Sequence, residues 1–321
     1  MNRTAGPRSG KPAFGTLDWS VERQFWPHAD TSRFVLAGGL RWHVQQMGEG
    51  PPLLLIHGTG AATHSWRDLA PLLARQFTVI APDLPGHGFT ERGSRKSLSL
   101  PAMAAAIAAL VDTLDLRPRV VIGHSAGVAI LIRCCLDGTL DPDALISING
   151  ALIPFRGTAG YLFPPLAKLL FVNPLMPRFL ARSAGNRERL VRLIRNTGSQ
   201  LDETGIDLYG RLFTNPAHVA ATLGMMASWD LHRFVRDLPA LKAPLLLIVG
   251  DNDQAIAPAD AERIRRMVPT ARIAHLADLG HLAHEEDAVA VADLILDFCA
   301  DHGRSNGRYG DAGEEPGVND G

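Results

Sequence analysis

The sequence predicts an α/β fold, a doubly wound and mostly parallel β-sheet with an inserted helical cap. Short continuous apolar runs, typical of strands buried on both faces of a sheet, alternate with helical patterns along most of the chain. The alternation stops from about residue 151 to 236, where only helical patterns separated by Pro and Gly occur. That stretch is too long for a loop in a compact domain, so it predicts the inserted cap.

The individual elements follow from local composition. The segments Arg33–Ala37 and Leu40–Gln46 flank Gly38-Gly39, a dipeptide that suits a two-residue β-hairpin turn. The clearest helix is Leu100–Leu114, with Ser99 as its N-cap. Further strands are predicted at Leu53–Ile56, Phe77–Ile80, Val120–Ile122, Ala144–Ile148, Leu245–Val249 and Arg272–Leu276.

These elements divide the chain into five parts. Residues 1–30 are predicted to be a flexible lead-in, 31–150 the first part of the α/β core, 151–236 the cap, 237–302 the second part of the core, and 303–321 a disordered tail. The N-terminal residues contain no apolar segment of the kind found in secretory signals, and no apolar run approaches the ~20 residues that span a bilayer. We therefore expect a cytoplasmic protein.

Charge and spacing argue against several classes of partner. The chain has 32 basic and 33 acidic residues, for a net charge of −1, so no bulk field favours binding to nucleic acid. No residue spacing suggests a zinc site, and no glycine-rich phosphate loop is followed by Lys. We expect no nucleic-acid partner, no metal and no organic cofactor.

The strongest chemical motif is Gly123-His124-Ser125-Ala126-Gly127, which lies between a predicted strand and a predicted helix. A serine on such a tight strand-to-helix turn is held above the sheet, and side chains at the two glycine positions would collide with neighbouring elements. The helix N-terminus behind it favours developing negative charge. This context predicts that Ser125 is a nucleophile.

A serine hydroxyl needs a base oriented by a carboxylate, and both are expected after Ser125 in the order acid, then histidine. Asp251 and Asp253 both follow a predicted strand; Asp253 is favoured because it lies farther from the strand end, whereas Asp251 fits a turn cap. Of the two histidines after the last strand, His281 follows Gly280 in a loop and is the better base, whereas His284 fits the next helix.

An oxyanion formed at Ser125 requires two hydrogen-bond donors. The backbone N–H groups of Ala126 and of Thr59, in the loop after an early strand, are the candidates. The Thr59 hydroxyl faces either the site or the backbone. The neighbouring His57 is expected to bond backbone groups and fix that loop, and His87 is interpreted in the same way.

Five motifs carry a family resemblance: Leu55-Ile56-His57-Gly58, Pro82-Asp83-Leu84-Pro85-Gly86-His87-Gly88, the Gly-His-Ser-Ala-Gly turn, the Gly-x-x-Asp ending at Asp253, and Gly280-His281. From about residue 33 to 300 the chain resembles the α/β-hydrolase fold superfamily. The resemblance implies the α/β-hydrolase fold. Serine at 125 separates the chain from the haloalkane dehalogenases and epoxide hydrolases, which place an aspartate there.

Three further segments resemble the magnesium chelatase accessory proteins of bacteriochlorophyll biosynthesis in purple photosynthetic bacteria: residues 37–45 (AGGLRWHVQ), residues 57–67 (HGTGAATHSWR), and Met225-Met226-Ala227-x-Trp229-Asp230. This narrower resemblance implies a role in tetrapyrrole biosynthesis and photosynthesis, a porphyrin ester or acid derivative as substrate, and contact with magnesium chelatase.

The cap contributes apolar and basic residues. The predicted substrate-binding residues are Gly58, His124, Phe163, Met225, Met226 and Trp229, although the apolar ones fit an ordinary helix-to-helix core equally well. Arginines at 178, 182, 187, 189, 192 and 195 alternate with apolar residues. Such a segment grips substrate carboxylates or associates weakly with an anionic membrane surface, and it is also typical of a solvated helix face.

The sequence therefore predicts a serine hydrolase, of the carboxylic ester class, that acts on a small apolar ester or a tetrapyrrole through Ser125, His281 and Asp253. Two alternatives stay open. One is a non-catalytic tetrapyrrole carrier or chaperone for magnesium chelatase; the other is a C–C hydrolase or lyase that uses the same three residues.

Overall fold

The computed structural model describes residues 17–154, 173 and 175–305. One eight-stranded sheet forms the core, in the order β1-β2-β4-β3-β5-β6-β7-β8. Its strands are β1 Ser32–Ala37, β2 Leu40–Met47, β3 Pro52–Ile56, β4 Thr78–Pro82, β5 Val120–His124, β6 Ala144–Ile148, β7 Leu245–Gly250 and β8 Ala271–Leu276. The predicted doubly wound α/β fold is confirmed.

Strand direction changes only at one edge of the sheet. β1 and β2 form the predicted antiparallel hairpin, and both residues of its turn have positive φ, 56° at Gly38 and 77° at Gly39. β2 pairs with β4 antiparallel, with Val44 opposite Pro82. Every pairing from β4 through β8 is parallel. The parallel strands therefore end at the same edge of the sheet.

Helices cover both faces of the sheet. The described α-helices are α1 Trp19–Glu22, α2 Leu69–Leu73, α3 Leu100–Thr113, α4 Ala126–Leu136, α5 Met176–Ala184, α6 Arg187–Arg195, α7 Glu203–Phe213, α8 Pro216–Ser228, α9 His232–Asp237, α10 Asp260–Met267, α11 Ala283–Glu286 and α12 Ala288–Ser305. Buried side chains of α3, α4 and α10 form the core on one face, and those of α2 and α12 form it on the other. Each face thus buries one side of the strands.

Between β6 and β7 the described residues form α5 to α9 and no strand. Leu190 and Ile194 of α6 pack against Ile206 and Tyr209 of α7. Ala181 of α5 packs against α8. These helices therefore have a small apolar core of their own beside the sheet.

The strand predictions differ from the structure by at most two residues at each end. Differences of two residues occur at the ends of β4, which extends to Pro82, and of β5, which extends to His124 directly before Ser125 and α4. One residue of positive φ separates strand from helix here, and propensity patterns do not register so abrupt a change. Among the described residues, no helix combines the length and apolar character needed to cross a bilayer.

Candidate active site

Three of the predicted site residues follow parallel strands at the edge where those strands end. Ser125 follows β5, Asp253 lies three residues beyond β7, and His281 lies in the loop after β8. Side chains from separate strand ends meet at this edge in open α/β sheets, because the strands run in the same direction. The sheet therefore brings together groups that are far apart in the sequence.

Ser125 occupies a strained backbone conformation, with φ 51° and ψ −119°. Its N–H donates to the carbonyl of Ile148 at 3.0 Å, which anchors the turn to the end of β6. A Cβ at Gly123 would lie 2.6 Å from the backbone nitrogen of Val128, and one at Gly127 would overlap the carbonyl of Ile56. The two glycines let strand and helix approach closely enough to hold the serine in this conformation.

Asp253 and His281 form a buried hydrogen-bonded pair. The Nδ1 of His281 lies 2.8 Å from Oδ2 of Asp253, and the aspartate side chain is almost fully buried. The second oxygen, Oδ1, accepts from the N–H groups of Ala255 and Ile256, each at 2.8 Å. These two N–H groups fix the carboxylate, so it can orient the ring through Nδ1.

Asp251, the competing candidate, bonds a different histidine. Its Oδ1 lies 2.7 Å from Nδ1 of His275, and both side chains are about half exposed. The described residues contain a third histidine–aspartate pair of similar geometry, His43 with Asp83, whose Nδ1 and Oδ2 lie 2.8 Å apart and whose side chains are fully buried. Among the described residues, only His281 with Asp253 is a buried pair formed by the loops that follow β7 and β8.

The backbone around His281 is held by residues from three other parts of the chain. Its carbonyl accepts from Nε2 of His124 and from Nδ2 of Asn149, both at 2.9 Å, and its N–H donates to the carbonyl of Thr197 at 3.3 Å. The Ser125 hydroxyl is half-buried and makes no hydrogen bond to the imidazole within the described part of the chain. Such contacts are often loose before a substrate binds.

The candidate oxyanion donors lie beside the serine. A Cβ at Gly58 would lie 3.1 Å from Cβ of Ser125, so the Thr59 loop directly faces the turn. Within the described residues, the N–H groups of Thr59 and Ala126 donate to no other protein group. Two unpaired donors at this position can stabilise a negatively charged oxygen.

His57 fixes the Thr59 loop, as expected. Its Nε2 accepts from the N–H of Leu84 at 2.9 Å, so Nδ1 carries the proton and donates to the carbonyl of Gly58 at 2.8 Å. The Thr59 hydroxyl donates to the sulfur of Met225, at 3.3 Å, and not to a backbone group.

Sequence reasoning missed His218, on α8. Its Nε2 lies 3.0 Å from the carbonyl of Gly60, and its Nδ1 accepts from the N–H of Gly88 at 3.2 Å. Burial lowers its pKa to about 4, so the ring is neutral at physiological pH. The histidine therefore joins the Thr59 loop to a second loop and to the helical segment.

Asn149 and Ser199 were also missed. The Nδ2 of Asn149 donates to the carbonyls of Gly280 and His281, while its Oδ1 accepts from the N–H of Gly250 at 2.8 Å. The hydroxyl of Ser199 accepts from the N–H of Leu282 at 2.7 Å. The sequence offers a signal only for Asn149, which is a polar residue directly after a buried apolar strand.

A second buried network joins the His281 loop to α7. Glu285 accepts from the guanidinium of Arg67 and from the hydroxyl of Tyr209, each at 2.8 Å. The same guanidinium donates to Asp202 at 3.0 Å. Burial raises the pKa of Glu285 to about 7, against the opposing effect of Arg67 and Tyr209.

The remaining predicted substrate-binding residues lie in different environments. His124 and Met225 are buried, whereas Met226 and Trp229 are partly exposed. Gly58 lies against the serine, as described above, and Phe163 is outside the described residues. Burial lowers the pKa of His124 well below its usual value, so this ring beside His281 is uncharged.

Comparison with known proteins identifies the family of the chain. Residues 53–294 match the model of the alpha/beta hydrolase family. The chain is 38% identical over 278 residues to the magnesium-chelatase 30 kDa subunit of Rhodobacter capsulatus, covering 85% of this chain and 96% of that protein.

Two more distant matches are named as a hydrolase and as an alpha/beta hydrolase fold protein. The 2-hydroxy-6-oxo-2,4-heptadienoate hydrolase of Pseudomonas putida is 24% identical, over 85% of this chain and 98% of its own. An alpha/beta hydrolase fold protein from Burkholderia ambifaria superposes with a TM-score of 0.71 at 24% identity, covering 84% of this chain and 98% of its own. The chain therefore belongs to the alpha/beta hydrolase family and is a homologue of the magnesium-chelatase 30 kDa subunit.

Proposed function

We propose that the protein is a serine hydrolase that cleaves a carboxylic ester through Ser125, His281 and Asp253. One observation carries the proposal: the buried His281–Asp253 pair lies at the same sheet edge as a serine in a strained strand-to-helix turn. The unpaired N–H groups of Thr59 and Ala126 support it, because acyl transfer needs donors for an oxyanion. The α5–α9 segment, in this proposal, is the cap that covers the substrate.

The mechanism follows from the roles of these groups. The Ser125 oxygen attacks the ester carbonyl while Nε2 of His281 takes the hydroxyl proton, and Asp253 stabilises the resulting imidazolium. The N–H groups of Thr59 and Ala126 hold the oxyanion. The imidazolium then protonates the departing alcohol, and water activated by His281 attacks the acyl-enzyme to release the acid and restore Ser125.

The substrate is proposed to be an ester of a tetrapyrrole acid, in bacteriochlorophyll biosynthesis. Support comes from the relative in Rhodobacter capsulatus, whose name places it with magnesium chelatase. The partly exposed Met226 and Trp229 supply apolar surface suited to a flat macrocycle. Contact with magnesium chelatase itself belongs to the same proposal.

A second candidate reaction is hydrolysis of a carbon–carbon bond by the same three residues. The Pseudomonas putida relative, named as a hydrolase of 2-hydroxy-6-oxo-2,4-heptadienoate, favours it. Incubation with that compound distinguishes the two reactions, because a C–C hydrolase consumes the dienoate and an esterase leaves its absorbance unchanged.

Kinetics of ester hydrolysis test the proposal, with aryl esters and a porphyrin methyl ester as substrates. We expect Ser125→Ala and His281→Gln each to lower kcat by about 10⁴-fold or more, and the double variant to be no worse than either. His275→Gln is the matched control, because His275 also bonds an aspartate through Nδ1 but lies in an exposed pair. Unchanged kcat in folded Ser125→Ala would refute the proposal.

A further inference from the structure

We propose that the outer face of α5 and α6 docks on an anionic lipid bilayer. This docking face consists of Leu175, Arg178, Phe179, Arg182, Arg189, Arg192, Leu193 and Arg195. Its three large apolar side chains are 65%, 66% and 50% exposed at Leu175, Phe179 and Leu193. Large apolar side chains grouped on an exposed surface indicate an interaction site.

Helical spacing places apolar and basic side chains together. In and just before α5, Leu175 and Phe179 are four residues apart, and Arg178 and Arg182 are also four apart, all of them exposed. The side of α5 that is buried carries Ala181, which packs against α8. The outward side of α5 is therefore a mixed apolar and basic surface.

α6 repeats this arrangement. Leu190 and Ile194 are buried against α7, while Arg189, Arg192 and Leu193 are exposed. Gly185 and Asn186 alone separate the two helices, and the Arg189 guanidinium donates to the Ser183 hydroxyl at 2.8 Å across that connection. The two outward surfaces thus belong to one compact helix pair.

The charge of the docking face fits an anionic partner. Between residues 175 and 195 there are six arginines and one acidic residue, Glu188, in a chain whose net charge is −1. Arg187 pairs with Glu203 and Asp207 of α7. Within the described part of the chain, the arginines at 178, 182, 192 and 195 form no ion pair, so their charge is available to lipid phosphates.

A bilayer fits these side chains better than a soluble acidic macromolecule. In a bilayer, arginines bind phosphates at the headgroup level while Phe and Leu enter the acyl boundary. A hydrated acidic surface offers the negative charge but no apolar layer for the Phe and Leu side chains. The chain that follows the docking face also contacts the candidate active site. α6 ends at Arg195, and Thr197 and Ser199 then bond the backbone of the His281 loop.

Vesicle co-sedimentation of the full chain tests the proposal, using phosphatidylcholine alone and phosphatidylcholine mixed with phosphatidylglycerol. We expect binding only to the anionic vesicles, weakened by salt. Replacing Arg178, Arg182 and Arg192 together by Gln lowers the partition coefficient about 100-fold, since each arginine near an anionic surface contributes about fivefold. Phe179→Ser lowers it about tenfold.

Matched variants elsewhere on the surface control for charge and apolarity. Arg23, Arg75 and Arg266, all exposed, are changed together to Gln, and Leu36, which is 75% exposed, is changed to Ser. These variants bind like the unmodified protein, and circular dichroism verifies that all variants fold. Absence of binding to anionic vesicles at low salt, equal losses in control and test variants, or binding insensitive to Phe179→Ser would overturn the proposal. None of these readouts depends on Ser125.

Discussion

Burial distinguishes the two histidine–aspartate pairs whose aspartates follow β7. His281 with Asp253 is buried among loops at the end of the parallel strands, whereas His275 with Asp251 is about half exposed. A hydrogen-bonded ion pair has more influence in a water-poor site than on the surface. The first pair can therefore orient and stabilise an imidazolium, and the second has little effect on chemistry.

Asparagine substitution tests this difference between the pairs. Asp253→Asn keeps the side-chain shape but removes the charge and alters the proton position on His281, so kcat falls by about 10⁴-fold. Asp251→Asn leaves kcat within about twofold, because this pair is exposed and outside the proposed machinery. Steady-state ester hydrolysis measures both. Equal effects of the two substitutions would contradict the assignment of Asp253.

At the scale of elements, buried polar side chains join the helical segment to the loops of the sheet. Arg67 follows a short 3₁₀ helix, Glu285 lies in α11 and Tyr209 lies in α7, yet all three meet in one network. A buried charge that loses its partner is costly, because it remains desolvated. The network therefore contributes strongly to how the helical segment is held over the His281 loop.

Substitutions in this network are expected to differ in cost. Arg67→Ala removes the guanidinium that pairs with the carboxylates of Glu285 and Asp202. We expect it to lower the free energy of unfolding by about 3–5 kcal/mol, because the buried Glu285 loses its partner. Tyr209→Phe removes one hydrogen bond and lowers it by about 1 kcal/mol. Urea denaturation at neutral pH measures both values. An Arg67→Ala cost no larger than that of Tyr209→Phe would show that the guanidinium does not hold the network.

Glu285 also gives the network a defined pH dependence. The pKa of this carboxyl is about 7 in the folded protein and 4.5 without burial. Between about pH 4.5 and 7 the carboxyl is therefore ionised in the unfolded chain but still mostly protonated in the folded protein, so rising pH favours unfolding. Relative to Glu285→Gln, the free energy of unfolding of the unmodified protein therefore falls by about 3 kcal/mol over this interval and is constant above it. Urea titrations at several pH values measure the difference. A difference that does not change with pH would contradict the raised pKa.

Across the described part of the molecule, six buried imidazoles have a lowered pKa. Burial lowers the pKa of His57, His64, His87, His124, His218 and His284, to about 4 for His218 and about 3 for His284. Their ordinary pKa is 6.5, so below that value the unfolded chain binds protons that the folded protein excludes. The neutral, buried rings therefore contribute fully to the free energy of unfolding above pH 6.5, and this contribution is lost progressively as the pH falls toward 4.

Thermal unfolding of the unmodified protein checks this acid sensitivity. We expect the unfolding temperature to fall steeply between about pH 6.5 and 4, because six buried rings outweigh the opposite trend of the single Glu285. His218→Gln removes one of the groups with a lowered pKa, so it reduces the slope of the unfolding temperature against pH. A flat or rising unfolding temperature on acidification would be inconsistent with buried neutral imidazoles.

The fold was predictable from the sequence because buried strands and amphipathic helices leave local periodic patterns. Ser125, Asp253 and His281 were predicted as site residues because each follows a strand within a short motif, and the preference for Asp253 over Asp251 relied on its distance from the strand end. The contact between Arg67 and Glu285 joins residues 218 positions apart, so no local pattern encodes it. The same holds for Ser199 and His218, whose roles depend on tertiary packing.

Labelling with a fluorophosphonate tests whether Ser125 is an activated nucleophile, since this reagent modifies serines activated by a base. We predict one adduct per chain, found by mass spectrometry on the peptide that contains Ser125, absent in Ser125→Ala and slowed in Asp253→Asn but not in Asp251→Asn. A folded protein that does not react, or a Ser125→Ala variant that reacts equally, would contradict the proposed serine hydrolase mechanism and favour a non-catalytic tetrapyrrole carrier.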